Sequence, residues 1–287
     1  MRHSLFLAIE QDSLLGSFSY AKRVKPKTEK FLYLLLWSAD QLMRPTFRNL
    51  NQSFEGWAYR NGFLRQLAIL EREEWIERKA GSKNDRIYRL TQAGRCHALG
   101  GRDPEAGWAR RWDGRWRLVA FDLPKREQAQ RAALRRYLRR NGFGYLQKSL
   151  WITPEPLDRQ VELLRAGKID VESLILLEAR PCAGESDGDI VAGAWDFDGI
   201  NALYREHLAT LKEKPSGVLK DLTTWRALDR WAAKERTAWA AAAGADPFLP
   251  ERILPAGYLG KKAWTKRQRV LGQAARQLHC FPPGSLD

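Results

Sequence analysis

The chain has 287 residues with 49 Lys or Arg and 34 Asp or Glu, which gives a formal net charge of +15. Its hydrophobic fraction of 44% excludes a wholly disordered chain. No apolar run approaches the roughly 18 residues that a membrane span needs, and the apolar stretch before Glu10 is too short for a secretory signal. We therefore expect a cytoplasmic protein with no membrane partner.

Two turn-rich stretches divide the chain, and the positive charge is unevenly spread among the segments that they separate. Residues 1–110 hold 19 basic and 12 acidic side chains, residues 111–180 hold 15 and 9, and residues 181–287 hold 15 and 13. A basic surface favours polyanions such as nucleic acid. With linkers at 100–107 and 181–189, we expect domains at 1–100, 108–182 and 190–287.

The first segment is predicted to begin with helices. An apolar run predicts a core helix at 28–43. A second helical pattern runs over about 61–73, and one face of it carries Leu64, Leu67, Ala68 and Leu70.

A β-hairpin and a third helix are predicted next. Residues 75–78 and 86–90 alternate polar and apolar side chains around turn residues at 80–85. Thr91 has the side chain expected of a helix N-cap. Helix, helix, hairpin, helix is the order of a winged helix-turn-helix domain, in which the second helix enters the major groove of DNA.

Candidate DNA contacts lie on the second helix and on the hairpin. Arginine, asparagine and glutamine can read purine edges, and basic residues on a wing can meet phosphates. The predicted contact residues are Arg60, Asn61, Arg65 and Gln66 on the helix and Lys79, Lys83 and Arg86 on the wing.

The second segment predicts a βαββαβ ferredoxin-like domain. Its predicted elements are a strand that ends at Asp122, a helix at 125–141, strands at 144–147 and 149–153, a helix at 157–166 and a strand at 174–179. The helix at 125–141 has seven basic residues and one acid, Glu127. It could follow DNA or pair with acids of the third segment, and the sequence favours neither.

The third segment is predicted to be mostly helical, so the fold class is α+β. Trp225, Trp231 and Trp239 have near-helical spacing, which fits core packing or an aromatic effector pocket. The basic run at 261–269 is typical of a solvated helix face, with a polyphosphate contact as the alternative. The three cysteines and four histidines lack metal-site spacing, so we expect neither a metal nor a cofactor.

Two stretches resemble the PaaX-like repressors, which are named for phenylacetic acid degradation. The first is WDGRWRLVAFDLPKREQAQRAALRRYLRRNGFGYLQKSLWITP, and the second is Asp246-Pro247-Phe248-Leu249-Pro250 followed by Ile253-Leu254-Pro255, Gly260 and Ala263. The resemblance implies a homodimeric repressor, not an enzyme, that binds double-stranded operator DNA. It also implies release by a small-molecule effector, which is an aryl-acyl-coenzyme A in the best-known members. No phosphate-binding glycine loop identifies the effector here.

The central segment also resembles the small ferredoxin-like subunit of the CRISPR adaptation machinery. That resemblance implies an alternative function, a metal-dependent nuclease or a CRISPR-associated or other defence-associated nucleic-acid-binding protein that uses Asp122. Such chemistry needs at least two carboxylates around a divalent ion, which a dimer could supply from two copies of Asp122. The residues themselves favour a different role for Asp122, as a cap of the helix that follows it, since an acid is favoured at a helix N-terminus.

Overall fold

A computed structural model of the chain describes residues 64–80, 86–91, 93–94, 102–121, 128–157, 174–218 and 221–279. Within these ranges the protein is α+β, with seven α-helices, a two-stranded sheet and a four-stranded sheet. No helix in the described ranges is long and apolar enough to cross a membrane.

The first half of the described chain holds the strands. Its elements are α1 (Leu64–Arg72), β1 (Ile76–Ala80), β2 (Arg86–Leu90), α2 (Pro104–Trp108), β3 (Trp116–Phe121), α3 (Gln128–Arg140), β4 (Gly144–Gln147), β5 (Leu150–Thr153) and β6 (Leu174–Ala179). The second half is helical, with α4 (Asp187–Ala194), α5 (Phe197–Lys212), α6 (Leu222–Ala245), a 3-10 turn (Glu251–Ile253) and α7 (Gly260–His279).

The described residues fall into two compact units. The head unit contains α1, the β1–β2 hairpin and the described residues 208–218, 221–240 and 265–279. The sheet unit contains residues 104–207 and 241–264. The division into domains at 1–100, 108–182 and 190–287 stays a prediction.

The larger sheet has the strand order β4-β5-β3-β6, with every neighbouring pair antiparallel. This is the order of a ferredoxin-like sheet, in which the first and third strands of the βαββαβ unit lie in the centre. The predicted strands are therefore confirmed. The helix predicted at 157–166 lies outside the described residues from 158 onwards. The predicted start of the winged-helix domain, residues 28–63, also lies outside them.

Helix α3 packs on one face of this sheet. Val119 of β3 lies beside Trp151 of β5 in the sheet register, and both side chains are fully buried. They form one apolar cluster with Phe121, Leu134 and Leu138. Each such side chain contributes about 1.5–3 kcal/mol when it is fully withdrawn from water, so α3 is fixed on the sheet by its apolar stripe.

Gly142 ends α3, as predicted. Its φ of 81° lies in the left-handed region, where glycine has no Cβ penalty. The Gly142 N–H donates to the Arg139 carbonyl, and the Phe143 N–H donates to the Leu138 carbonyl. These two bonds form a Schellman motif, which satisfies the last carbonyls of the helix.

The other face of the sheet is partly covered by tryptophans. The Trp116 Nε1–H donates to the Asp187 carboxylate at 2.8 Å, and the Trp195 Nε1–H donates to the Gly142 carbonyl at 3.1 Å. The two rings lie 6.0 Å apart. Buried indoles need such partners for their N–H groups, so these bonds fix the start of α4 and the residue after it on the sheet.

Asp246 forms a buried hydrogen-bond network in the sheet unit. Its carboxylate is fully buried and accepts the hydroxyl of Tyr204 at 2.6 Å, the hydroxyl of Tyr258 and the Phe248 N–H at 2.7 Å. The Tyr258 oxygen also accepts the Trp108 Nε1–H. Burial and the nearby carboxylate raise the pKa of both tyrosines, so both remain hydroxyl donors. The DPFLP motif thus has a structural role.

The basic run at 261–269 was expected to form a solvated helix face, and this expectation is wrong for Arg267. Its side chain is buried rather than solvated, and its Nε donates to Glu235 on α6 at 2.7 Å. The guanidinium also lies 4.6 Å from the centre of the Trp239 ring. Trp231 and Trp239 are buried, in agreement with the core-packing alternative for these tryptophans.

Replacement of Asp246 by Asn should lower the free energy of unfolding by about 2 kcal/mol, because two tyrosine donors lose a charged acceptor. Urea unfolding of the full chain measures this. The matched change Asp198→Asn, at an exposed position of α5, should cost less than about 1 kcal/mol. Equal losses in the two variants would contradict a structural role for the network.

Candidate nucleic-acid interface

Helix α1 presents one arginine of the predicted recognition set. Leu67 and Leu70 are buried, whereas Arg65, Ala68 and Arg72 are exposed and follow one helical stripe. Ala68 was predicted on the buried face, and its exposure corrects that detail. Arg65 therefore stands on the solvent side of the helix, as a residue that contacts DNA requires.

The hairpin is tied to α1 through Thr91. The Thr91 N–H donates to the Trp75 carbonyl at 3.0 Å, and its hydroxyl donates to the Glu74 carbonyl at 2.8 Å. The same hydroxyl oxygen accepts the Gly94 N–H at 3.0 Å, which confirms Thr91 as an N-cap. Gly94 packs so closely that a Cβ would lie 1.9 Å from the Trp75 carbonyl oxygen. The two ends of the hairpin are thus held beside α1.

For three other predicted contact residues the structure describes the backbone but not the side chain. The backbone of Gln66 lies in α1, that of Lys79 in β1 and that of Arg86 in β2. In the hairpin register Lys79 pairs with Ile87 and Arg86 pairs with Ala80, so the predicted hairpin is confirmed. Their side chains lie outside the described part, as do all atoms of Arg60, Asn61, Lys83 and Asp122.

The exposed arginines of α3 form a second basic surface. We define the α3 basic face as Arg135, Arg136, Arg139, Arg140 and Lys148. The Arg135 Nη2 donates to the Lys148 carbonyl at 3.2 Å, and the Arg139 guanidinium lies 5.8 Å from the centre of the Trp151 ring. Lys148, in the turn between β4 and β5, is exposed and has a left-handed φ of 47°.

The arginines of this face have no acidic partner within ion-pair distance among the residues that the structure describes. Arg136, Arg139 and Arg140 are all exposed. The sequence left two alternatives for this helix, contact with DNA or pairing with acids of the third segment. The described residues show no such pairing for Arg135, Arg136, Arg139 or Arg140.

Other arginines of the same sheet behave differently. Arg117 makes two hydrogen bonds to the Asp113 carboxylate at 2.9 and 2.6 Å, and Arg115 pairs with Glu178 at 2.6 Å. Hydrogen bonds from Arg117 and Arg115 lower the pKa of Asp113 and of Glu178, respectively. Arg115 and Arg117 thus pair with nearby acids, whereas no such pair is seen for Arg135, Arg136, Arg139 or Arg140 among the described residues.

Residues 109–191 match the family model of the PaaX protein central Cas2-like domain. The predicted resemblance to the PaaX-like proteins is confirmed over this Cas2-like segment, which includes the whole four-stranded sheet and α3. The α3 basic face is therefore a feature of a Cas2-like segment.

A solved structure with a similar fold covers most of the chain. It is the uncharacterized protein Rv0674 from Mycobacterium tuberculosis, with a TM-score of 0.52 and 19% sequence identity over 90% of this chain and 97% of that chain. At this identity the similarity concerns the fold. Comparison with curated proteins finds no match.

The alternative metal site is not tested by the structure. Among the described residues no group of three or more His, Cys, Asp or Glu side chains is placed to hold a metal ion. Asp122, on which the nuclease alternative depends, follows β3 but lies outside the described residues. Lys148 was not singled out from the sequence, although a lone basic residue between two predicted strands is a signal for an exposed turn.

Neutralising two arginines of the α3 basic face should weaken the binding of random-sequence duplex DNA. For Arg136→Gln combined with Arg140→Gln, the slope of log affinity against log salt should fall by about 2, since each lost phosphate contact removes about one. Fluorescence anisotropy between low and physiological salt measures the slope. Arg205→Gln combined with Lys212→Gln, at exposed positions of α5, is the control. An unchanged slope in the α3 variant would remove this face from the interface.

Proposed function

We propose that this protein is a double-stranded-DNA-binding transcriptional regulator, a homodimeric repressor whose DNA affinity is controlled by a small-molecule effector. The observation that carries the proposal is the match of residues 109–191 to a PaaX central domain, in a chain whose preceding described elements are a helix, a hairpin and a capped helix start. In this proposal the protein is a regulator rather than an enzyme.

The described part of the head suits base recognition. In a winged helix-turn-helix, the helix that precedes the wing reads the major groove, and the wing meets the backbone or the minor groove. Helix α1 directly precedes the β1–β2 hairpin, and Arg65 is exposed on it. An exposed arginine can donate two hydrogen bonds to guanine, which gives discrimination among base pairs. Arg65 is therefore the best-supported member of the predicted recognition set.

A partly uncovered apolar surface supports the homodimer. Ile175 is 56% exposed and Leu177 is 51% exposed, although both lie on a strand of the central sheet. In the register Ile175 pairs with Ala120, and Leu177 pairs with Leu118, so the four residues share one face. We call these four residues the β6 apolar patch.

We propose a second copy of the chain as the occupant of the β6 apolar patch. The patch is at the edge of the sheet, because β6 is the last strand in its order. Edge strands with exposed apolar residues are prone to pair with another chain. A two-fold contact places the same patch on both subunits, so an apolar surface without a charged residue is complementary to itself.

Replacement of Arg65 by Ala should weaken binding to an operator selected by the protein from random duplexes by about 1–3 kcal/mol and relax the base preference at one position. Arg72→Ala, in the last turn of the same helix, should weaken binding less. Gel-shift titration at fixed salt measures both. If Arg65→Ala binds the selected operator with unchanged affinity and base preference, Arg65 does not read bases.

Asp122→Ala distinguishes the regulator from the nuclease alternative. In the proposed regulator this change leaves operator affinity intact, and the unaltered protein does not cut DNA or RNA when Mg²⁺ or Mn²⁺ is added. Cutting that depends on the metal and disappears in Asp122→Ala would overturn a function limited to repression.

Replacement of Leu177 by Asp should convert the dimer to a monomer, because two buried carboxylates would face each other across a two-fold contact. Light scattering coupled to gel filtration gives the mass of each species. Ala192→Asp, at an exposed position of α4, should remain dimeric. A Leu177→Asp protein that stays dimeric would place the dimer contact elsewhere.

A further inference from the structure

The head unit has an open surface cavity that lies apart from the predicted DNA-contact residues in the sequence. It lies between the residues that follow α5 and the last turns of α7, and its volume is about 380 Å³. Known ligand pockets begin at about 300 Å³, so this volume suits a small organic molecule. The side chains at the cavity that matter for recognition are Lys214, Ser216, Val218, Gln273, Arg276 and Gln277.

Lys214 is held in place by neutral groups. Its ammonium donates to the Gln277 side-chain oxygen at 2.7 Å and to the Pro215 carbonyl at 3.0 Å. The Gln277 amide in turn donates to the carbonyls of Pro215 and Gly217. An ammonium has three N–H donors, and two of those of Lys214 have partners among the described residues.

The cavity carries positive charge without a counter-charge. Lys214 is half-buried, Arg276 is exposed, and neither pairs with an acid in the part of the chain that the structure describes. Burial lowers the pKa of the Lys214 ammonium, as expected when a cation loses water and gains only neutral partners. The lining residues include no acid. An anion would supply the missing charge.

We propose that this cavity binds a small organic anion, a carboxylate or phosphate monoester, whose charged group meets Lys214 and Arg276. The amides of Gln273 and Gln277 and the Ser216 hydroxyl supply further polar contacts. Val218 and the aliphatic stems of the two basic residues accept the apolar part of the molecule.

The position of the cavity gives the ligand a role, which rests on the proposed function. The cavity residues belong to the same compact unit as α1 and the β1–β2 hairpin. A ligand that binds there with different affinity in the DNA-bound and free conformations shifts the equilibrium between them. The anion is then the effector that releases the repressor from its operator.

Isothermal titration calorimetry with matched ligand pairs tests the site. Benzoate and hexanoate, and separately inorganic phosphate, are titrated into the full chain, with benzamide and hexanamide as uncharged controls of the same shape. At least one anion should bind, and its uncharged counterpart should bind at least about tenfold more weakly. If no anion binds, or if the amides bind as well as the acids, the site is not an anion site.

Variants locate the binding at the cavity. Lys214→Met and Arg276→Gln should each weaken the binding of the anion by about tenfold or more, because each removes one charge-assisted hydrogen bond. Arg276 is exposed, so its replacement tests the site without a burden on folding. Lys212→Gln, at an exposed position at the end of α5, should bind as the unaltered protein does. Full affinity in both cavity variants would overturn the location.

A DNA-binding assay separates this inference from the proposed function. Addition of the anion should weaken operator binding by the unaltered protein, and the Arg276→Gln variant should need at least about tenfold more anion for the same effect. A protein that binds the anion in calorimetry but never binds DNA would overturn the proposed function and retain the site. A protein that binds both with no mutual effect would overturn the effector role alone.

Discussion

The buried carboxylate of Asp246 is the interaction on which the architecture of the sheet unit depends. A buried carboxylate destabilises a protein unless its lone pairs are occupied, and Asp246 receives donors from Tyr204, Tyr258 and the backbone of Phe248. Tyr204 lies on α5, and Tyr258 just precedes α7, so one residue fixes the loop between α6 and α7 against both helices. The constraint extends to the sheet, because Arg110 donates to the Phe248 carbonyl at 2.7 Å and pairs with Glu155 at 2.9 Å.

Local patterns in the sequence predict much of this fold, and tertiary partners decide the rest. The alternation of polar and apolar residues predicts the strands, Gly142 predicts the end of α3, and Thr91 predicts a helix N-cap. Each of these features depends on a few neighbouring residues. Arg267 was missed because its burial depends on Glu235, which is 32 residues away and on another helix. Hydrophobic periodicity predicts that an arginine is exposed, because the pattern does not show a carboxylate that is distant in the sequence but close in the fold.

The same distinction between local sequence patterns and tertiary contacts applies to the candidate nucleic-acid interface. The residue types at the head and the basic composition of α3 can be read from the sequence, but whether a charge is free depends on which acids the fold brings near it. Arg115 forms an ion pair with Glu178, and Arg117 forms one with Asp113. Arg136 and Arg140 form no ion pair within the described residues. The cavity of Lys214 could not be foreseen, because its charge is defined by the neutral partners that Gln277 and Pro215 provide.

Three acids of the near-neutral third segment form ion pairs with bases of the same segment. Glu235 pairs with Arg267, Glu213 with Lys234, and Glu251 with Lys261.

The two positive sites differ in shape and in exposure to salt. Exposed arginines along a helix attract a polyanion chiefly through the release of its counterions, so their contribution falls steeply as salt rises. A half-buried ammonium in a cavity is screened less, because water and ions reach it from fewer directions. A small anion in the cavity thus keeps more of its affinity under the conditions that weaken a polyanion on the helix. In the proposed regulator, DNA and the small anion thus contact different basic residues and do not compete for the same charges.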